Sequence, residues 1–272
     1  MRAVLASDLS PASRVAVSDD SVLESLRAVG VTAVDLVTVV DGEESVPGMD
    51  LADKRRVALE RREAALETAG FDVAVHVRHG VPHRQINDVA VDVDADLVVV
   101  GSSGTTGASR LLGSTARDMA RTTVRPLVVV RVGRRDREVV PLQPTLFGHV
   151  CHGTDFSENA ARAQDFLEDL EGALEAVTVV HVRESDEAVP LGERLAGLGE
   201  TLETAGVRMD LQTPRGDPAE ILLETAATVD ADTILVGSRG QGRLRRLLLG
   251  SVSDRVVADG DTNVIVVPPT DR

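Results

Sequence analysis

The sequence predicts an α/β, Rossmann-like fold: two tandem doubly wound domains, each a five-stranded parallel sheet flanked by helices. Three observations carry this. The chain repeats itself, because VDADLVVVGSSG from Val93 recurs as VDADTILVGSRG from Val229, a shift of 136 residues (229 − 93). At the same shift Gly80 and Pro82 fall on Gly216 and Pro218. PLVVV after Arg125 lies over NVIVV after Thr262 at 137, and LASDLSPAS from Leu5 over HGTDFSENA from His152 at 147. Short apolar runs then alternate with amphipathic stretches, the pattern of βαβ units. Finally, 272 residues suit two domains of about 130 to 140 residues each.

In the first copy the strands are expected at Ala3 to Ala6, Ala33 to Val40, Asp72 to Val77, Leu97 to Val100 and Leu127 to Val130. In the second they are expected at His149 to His152, Leu174 to His181, Arg208 to Thr213, Thr233 to Val236 and Val264 to Val267. Ile86, Val89, Ala90 and Val93 recur at helical spacing, as do Ile221, Leu222, Thr225, Ala226 and Val229. Right-handed crossovers between parallel strands put helices on both faces, with a ligand site at the carboxyl ends of the strands where the winding reverses. Gly133 to Pro144, with RRDRE and two prolines, is polar and unpatterned and reads as a linker. The expected division is 1–133, linker 134–145 and 146–272.

Composition narrows the function classes. Hydrophobic residues at 43% and charged residues at 27% are the balance of a folded chain. No apolar run approaches the roughly 20 residues of a membrane span, and MRAVLASDLS reads as the start of a strand rather than a signal peptide, so a cytoplasmic setting is expected. The single cysteine, Cys151, agrees with a reducing compartment. A net charge of −15 argues against nucleic-acid partners, which meet basic faces.

After its fourth strand the second copy reads GSRGQGRLRRLLLGSVSDRVV, with Gly237, Gly240 and Gly250 followed by Ser251. Glycines let a backbone turn tightly and approach a ligand, and a helix opening at Ser251 would offer unpaired N–H groups to a phosphate. The plainer reading makes these glycines shape a strand–loop–helix connection, with Ser251 a cap. A P-loop is excluded because Lys54, the only lysine, lies far from either loop. A dinucleotide fingerprint belongs after the first strand, not the fourth.

On these residues the chain resembles the universal stress protein family, in tandem form and over both halves almost end to end. The resemblance implies the adenine nucleotide alpha hydrolase-like version of the fold. It also implies binding of ATP, with magnesium among the expected companions, in the branch marked by Gly, two residues, Gly, nine residues, Gly, then Ser or Thr. The second copy carries that spacing through Gly237, Gly240, Gly250 and Ser251. The resemblance adds Asp155 after the first strand and the backbone of Val182 after the second. In the first copy the corresponding residues are Asp8, Val39, Gly101, Gly104, Gly113 and Ser114, with only eight residues between Gly104 and Gly113 (113 − 104 − 1). The full spacing favours the second copy as the ATP site. The family's subunits pair through edge strands, so an internal pseudo-dimer through the last strands is expected, with homodimerisation open to two such chains.

Other features are weighed and set aside. His76, His79 and His83 are spaced like metal ligands but need not converge across a strand end and a turn, so no metal site is expected. Cys151 and His152 are strand neighbours that point to opposite faces, which excludes a nucleophile–base pair. Arg243, Arg245 and Arg246 lie between the glycines, where solvation is as good a reading as phosphate contact. With no nucleophile–base–orienter set, the expectation is a stress-response or regulatory binding module with an unidentified protein partner, at most a slow ATPase; a non-nucleotide interaction scaffold is the alternative. A pyrophosphatase-like enzyme of the same broad fold would need a glycine-rich loop after the first strand, which neither SDLSPAS nor TDFSENA supplies.

Overall fold

A computed structural model describes residues 1–40, 51–102, 112–136, 138–183, 191–240 and 249–269, with 51–55 and 191–193 described by their backbone alone. Gly104, Arg243, Arg245 and Arg246 lie outside the described residues. The first half runs β1 (Arg2–Ala6), α1 (Pro11–Ser18), α2 (Asp20–Ala28), β2 (Ala33–Val40), α3 (Leu51–Thr68), β3 (Asp72–His79), α4 (Pro82–Asp92), β4 (Leu97–Gly101), α5 (Ser114–Thr122) and β5 (Leu127–Val130). A short pair, β6 (Val132–Arg135) and β7 (Glu138–Pro141), leads to the second half. That half comprises β8 (His149–Gly153), α6 (Glu158–Asp169), β9 (Ala176–Val180), α7 (Leu191–Thr204), β10 (Arg208–Gln212), α8 (Pro218–Thr228), β11 (Thr233–Gly237), α9 (Ser251–Asp259) and β12 (Asn263–Val267).

All but β6 and β7 form one ten-stranded sheet in the order β10-β9-β8-β11-β12-β5-β4-β1-β2-β3. Each half is a doubly wound parallel sheet of order 3-2-1-4-5, and the halves join through β12 and β5, the last strand of each. Among the described residues that junction is the only antiparallel pairing within the sheet, with Val264 opposite Val129, Ile265 opposite Val128 and Val266 opposite Leu127. The expected pseudo-dimer is therefore a continuous sheet. Its central strands are buried from end to end because helices cover both faces: every residue of β5, β11 and β12 is buried, including the polar Thr233 and Asn263. β3, at one edge, has only exposed and half-buried positions.

The segment read as an unpatterned linker contains a β-hairpin. Val132 pairs with Pro141 and Arg135 with Glu138. Val132 is buried and Val139 packs with it on the core face that includes α1, while Arg134 and Arg135 face solvent. Four-residue strands are too short for their alternation to stand out among charged residues.

The strongest stretch of the repeat has a structural cause. Asp94 and Asp230 take left-handed conformations, φ 51° and 53°, where α4 and α8 end. Two residues on, the Arg2 N–H donates to Asp96 Oδ2 (2.6 Å) and the His149 N–H to Asp232 Oδ2 (2.8 Å). The VDAD signature thus ends a helix and anchors the start of each half's first strand.

Candidate functional site

Both halves build the same corner at the end of the first strand. In the first, the Leu9 N–H donates to Ser7 Oγ (3.2 Å), the Ser10 N–H to Asp8 Oδ1 (2.9 Å) and the Ser13 N–H to Ser10 Oγ (3.2 Å). The second repeats each bond: Phe156 N–H to Thr154 Oγ1 (3.1 Å), Ser157 N–H to Asp155 Oδ1 (2.9 Å) and Ala160 N–H to Ser157 Oγ (3.2 Å). Leu9 and Phe156 are forced to positive φ, 68° and 57°. Ser10 and Ser157 cap the following helices. Partial desolvation opposes ionisation of Asp8, but hydrogen bonds from Ser10 and Ser13 prevail and hold its carboxyl below the usual range.

In the first half this corner forms one wall of a cleft of about 690 Å³, counting the space open to solvent at its mouth. The cleft lies where the winding reverses, between β1 and β4. Asp8, Val39, Gly101, Gly113 and Ser114 all line it. Of the six residues expected in this copy, only Gly104 is unplaced, being outside the described residues. The walls combine apolar Val37, Ile86 and Val100 with the hydroxyls of Ser7, Ser13 and Thr115. Gly113 caps α5 without a side chain to satisfy its first-turn N–H groups, so that positive end is turned into the cleft.

The glycines do not all serve one purpose. A Cβ on Gly101 would lie 2.8 Å from the Ala12 carbonyl oxygen, and on Gly237 2.9 Å from that of Asn159. These glycines let the helix after the first strand approach the end of the fourth, which is the plainer of the two readings. At Gly240 a Cβ would fall 2.6 Å from Asp155 Oδ2, so the backbone of Gly240 lies directly against the carboxylate. Gly250, which caps α9 with φ −63°, differs: the nearest atom to a Cβ, Arg239 Cα, is 3.4 Å away. Among the described residues, neither backbone conformation nor a neighbouring atom demands glycine there. Ser251 follows as the exposed first residue of α9, and Val182, beyond β9, packs beside the apolar cluster that includes Leu222 and Leu249.

Three groups at these corners escape sequence reasoning. Arg62 of α3 donates to Ser7 Oγ, and desolvation lowers its guanidinium pKa while Asp8 raises it. Asn159 Nδ2 donates to the Arg239 carbonyl (3.1 Å) at the base of the second glycine loop, while its buried Oδ1 has no partner among the described residues. The Phe156 ring lies 4.8 Å from that of His181, with the Arg194 guanidinium 5.1 Å from its centroid. The usable signal was difference between the copies, since Asn159 stands against Ala12 (159 − 147) and Arg62 against Leu198 (62 + 136).

The set-aside residues have definite places. His76 Nε2 meets Asp35 Oδ1 at 2.7 Å, and Arg2 meets Asp35 Oδ2 at 2.8 Å, around a carboxylate that is 1% exposed. His83 faces Asp118 at 3.7 Å. Among the described residues, no group of three or more His, Cys, Asp or Glu could hold a metal, and no helix is long and apolar enough to cross a membrane. Cys151 and His152 pack on opposite faces of β8, and burial pushes the thiol up to about 12. Native Cys151 is therefore expected to resist a thiol reagent at pH 8 and to react only as fast as the chain unfolds. Rapid alkylation without loss of structure would contradict that burial.

Comparison with known proteins places the chain. A profile of the universal stress protein family matches residues 1–131 and 147–268. A universal stress protein of Mycolicibacterium smegmatis is 32% identical over 216 residues, covering 75% of this chain and 71% of that protein. One from Mycobacterium tuberculosis is 30% identical over 233 residues, covering 78% and 76%. The crystal structure of a universal stress protein from Archaeoglobus fulgidus aligns with a TM-score of 0.75 at 23% identity over 98% of each chain, a likeness of fold.

Proposed function

The chain is a tandem member of the universal stress protein family, and from that premise we propose that it binds ATP or a related adenine nucleotide and works as a stress-response or regulatory binding module. The observation that carries this reading is the convergence of Asp8, Val39, Gly101, Gly113 and Ser114 on one cleft at the switch point. In the first copy, the α5 start at Gly113 and Ser114 would receive the phosphates and Asp8 a ribose hydroxyl, with the Val39 backbone against the base. In the second, Gly240, Gly250 and Ser251 would take the phosphates, Asp155 the ribose and Val182 the base. Among the described residues a Cβ at Gly250 would meet only ordinary van der Waals contacts, which fits a position kept bare for a ligand. Magnesium would arrive with the phosphates.

The copies have different merits. The second has the full glycine spacing and Gly240 set against its carboxylate; the first has the described cleft. We take 1–133 and 146–272 as the two binding units, with the hairpin as connector, and place the protein in the cytoplasm. No catalytic role is proposed.

Native mass spectrometry in millimolar magnesium ATP tests this by counting nucleotides per chain. One or two are expected. Gly240→Trp, which fills the space over Asp155, should remove the second copy's nucleotide with at least a tenfold loss of affinity. No binding by the wild-type protein would sink the nucleotide reading and leave a scaffold of the same fold.

A further inference from the structure

The helices that open at the two proposed sites are fastened to each other. α5 starts at Gly113 and Ser114 in the first copy, and α9 at Gly250 and Ser251 in the second. They pack across the junction between the halves, where Arg121 in the last turn of α5 pairs with Asp254 in the first turn of α9 at 2.9 Å. A second fastening is buried. Arg131, one residue past β5, is 1% exposed and donates through its guanidinium to the Val257 carbonyl in the last turn of α9. Its peptide N–H donates to Asn263 Oδ1 of the second half (2.8 Å). Burial lowers the guanidinium pKa to about 10 while Asp261 and Asp259 raise it, so the group stays a cation at neutral pH.

The repeat makes this clasp one-sided. At the shift of 137, Pro268 occupies the place of Arg131 and Pro126 that of Asn263, and neither can reproduce the contact. α9 is thus held at both ends by arginines of the first half, Arg121 at its start and Arg131 at its finish. A helix transmits displacement along its axis as a stiff rod. An anion drawn to the start of α9 by its dipole moves a body whose far end is bonded to the strand leading out of the first half.

We propose that the two sites are energetically coupled through α5 and α9, with Arg131 as the positioning residue that carries the coupling. The inference rests on the nucleotide reading above. Coupling of this kind typically amounts to about 5-fold or more in affinity and is reciprocal.

The test uses full-length protein with one site closed. Gly250→Trp leaves the first copy open and Gly113→Trp the second; magnesium ATP is added and amide hydrogen exchange followed in both helices. With Arg131 present, nucleotide in one copy is expected to change exchange in the other copy's helix by about 5-fold or more. In an added Arg131→Met background, the change should be confined to the helix of the occupied copy. The inference is overturned if nucleotide binds and the distant helix is unmoved, or moves equally without Arg131. Failure of both one-site proteins and of wild type to take up nucleotide overturns the binding reading and this inference together. Should Arg131→Met not fold, exposed Arg121→Gln cuts only the surface link. With Arg131 in place transmission is expected to persist, and its loss would overturn the role given to Arg131.

Discussion

Replacing His152 with leucine is expected to remove the share of the protein's stability loss between pH 6.5 and pH 4 that this buried imidazole causes. The imidazole is fully buried on β8, with Nδ1 3.3 Å from the Leu235 carbonyl and Nε2 lacking any partner. Burial lowers its pKa from 6.5 to about 4, against a weaker opposing effect of the Leu235 contact. The sign follows from proton uptake: between these values the unfolded chain binds a proton that the folded one refuses. Stability contributed by the neutral ring is complete above pH 6.5 and is lost as the pH falls to about 4. The loss amounts to about 3 kcal/mol, which His152→Leu should not suffer. Leucine already occupies the matching position, Leu5, in the first copy (152 − 147). At neutral pH the variant should be at least as stable, because an unpaired buried nitrogen costs about 1–3 kcal/mol. Urea unfolding of both proteins at pH 7.5, 5.5 and 4 checks this; parallel curves would refute it.

Alanine at Gly101 or Gly237 is expected to destabilise the nucleotide-free protein by about 1–3 kcal/mol each, as overpacking against an unyielding neighbour does. The neighbour is backbone in both cases: a Cβ at Gly101 would stand 3.1 Å from the Ala12 carbonyl carbon, and one at Gly237 3.1 Å from that of Asn159. Gly197, inside α7 with nothing within 4 Å of its Cβ position, supplies the opposite sign. Gly197→Ala should stabilise by about 0.5–1 kcal/mol through helix propensity. Thermal unfolding of the three variants separates the outcomes. If Gly101→Ala and Gly237→Ala unfold like wild type, these glycines are not packing requirements, and their place in the motif would have to be sought in the ligand.

Much of the candidate site was legible because its residues cluster in sequence. Asp8 and Asp155 stand two residues beyond a strand, and each glycine series follows directly on another strand. Arg62 was invisible because α3, which packs beside α1, reaches Ser7 across 55 residues of chain. Asn159 looks like an ordinary polar residue early in a helix until the fold brings it under the loop at Arg239. The first glycines of the two series are the reverse case, prominent in sequence and explained by packing.

The sequence by itself determined the repeat, the five-strand α/β pattern of each half and the order of its elements, because these follow from local periodicity and turn chemistry. Only the tertiary structure decided that the last strands meet antiparallel in one continuous sheet. It also decided that the polar connector forms a hairpin and that a single arginine from one half is bonded to the end of a helix in the other. Those outcomes depend on which surfaces meet once both halves are folded, and contacts between Arg131 and Val257, 126 residues apart, leave no periodic trace in the chain.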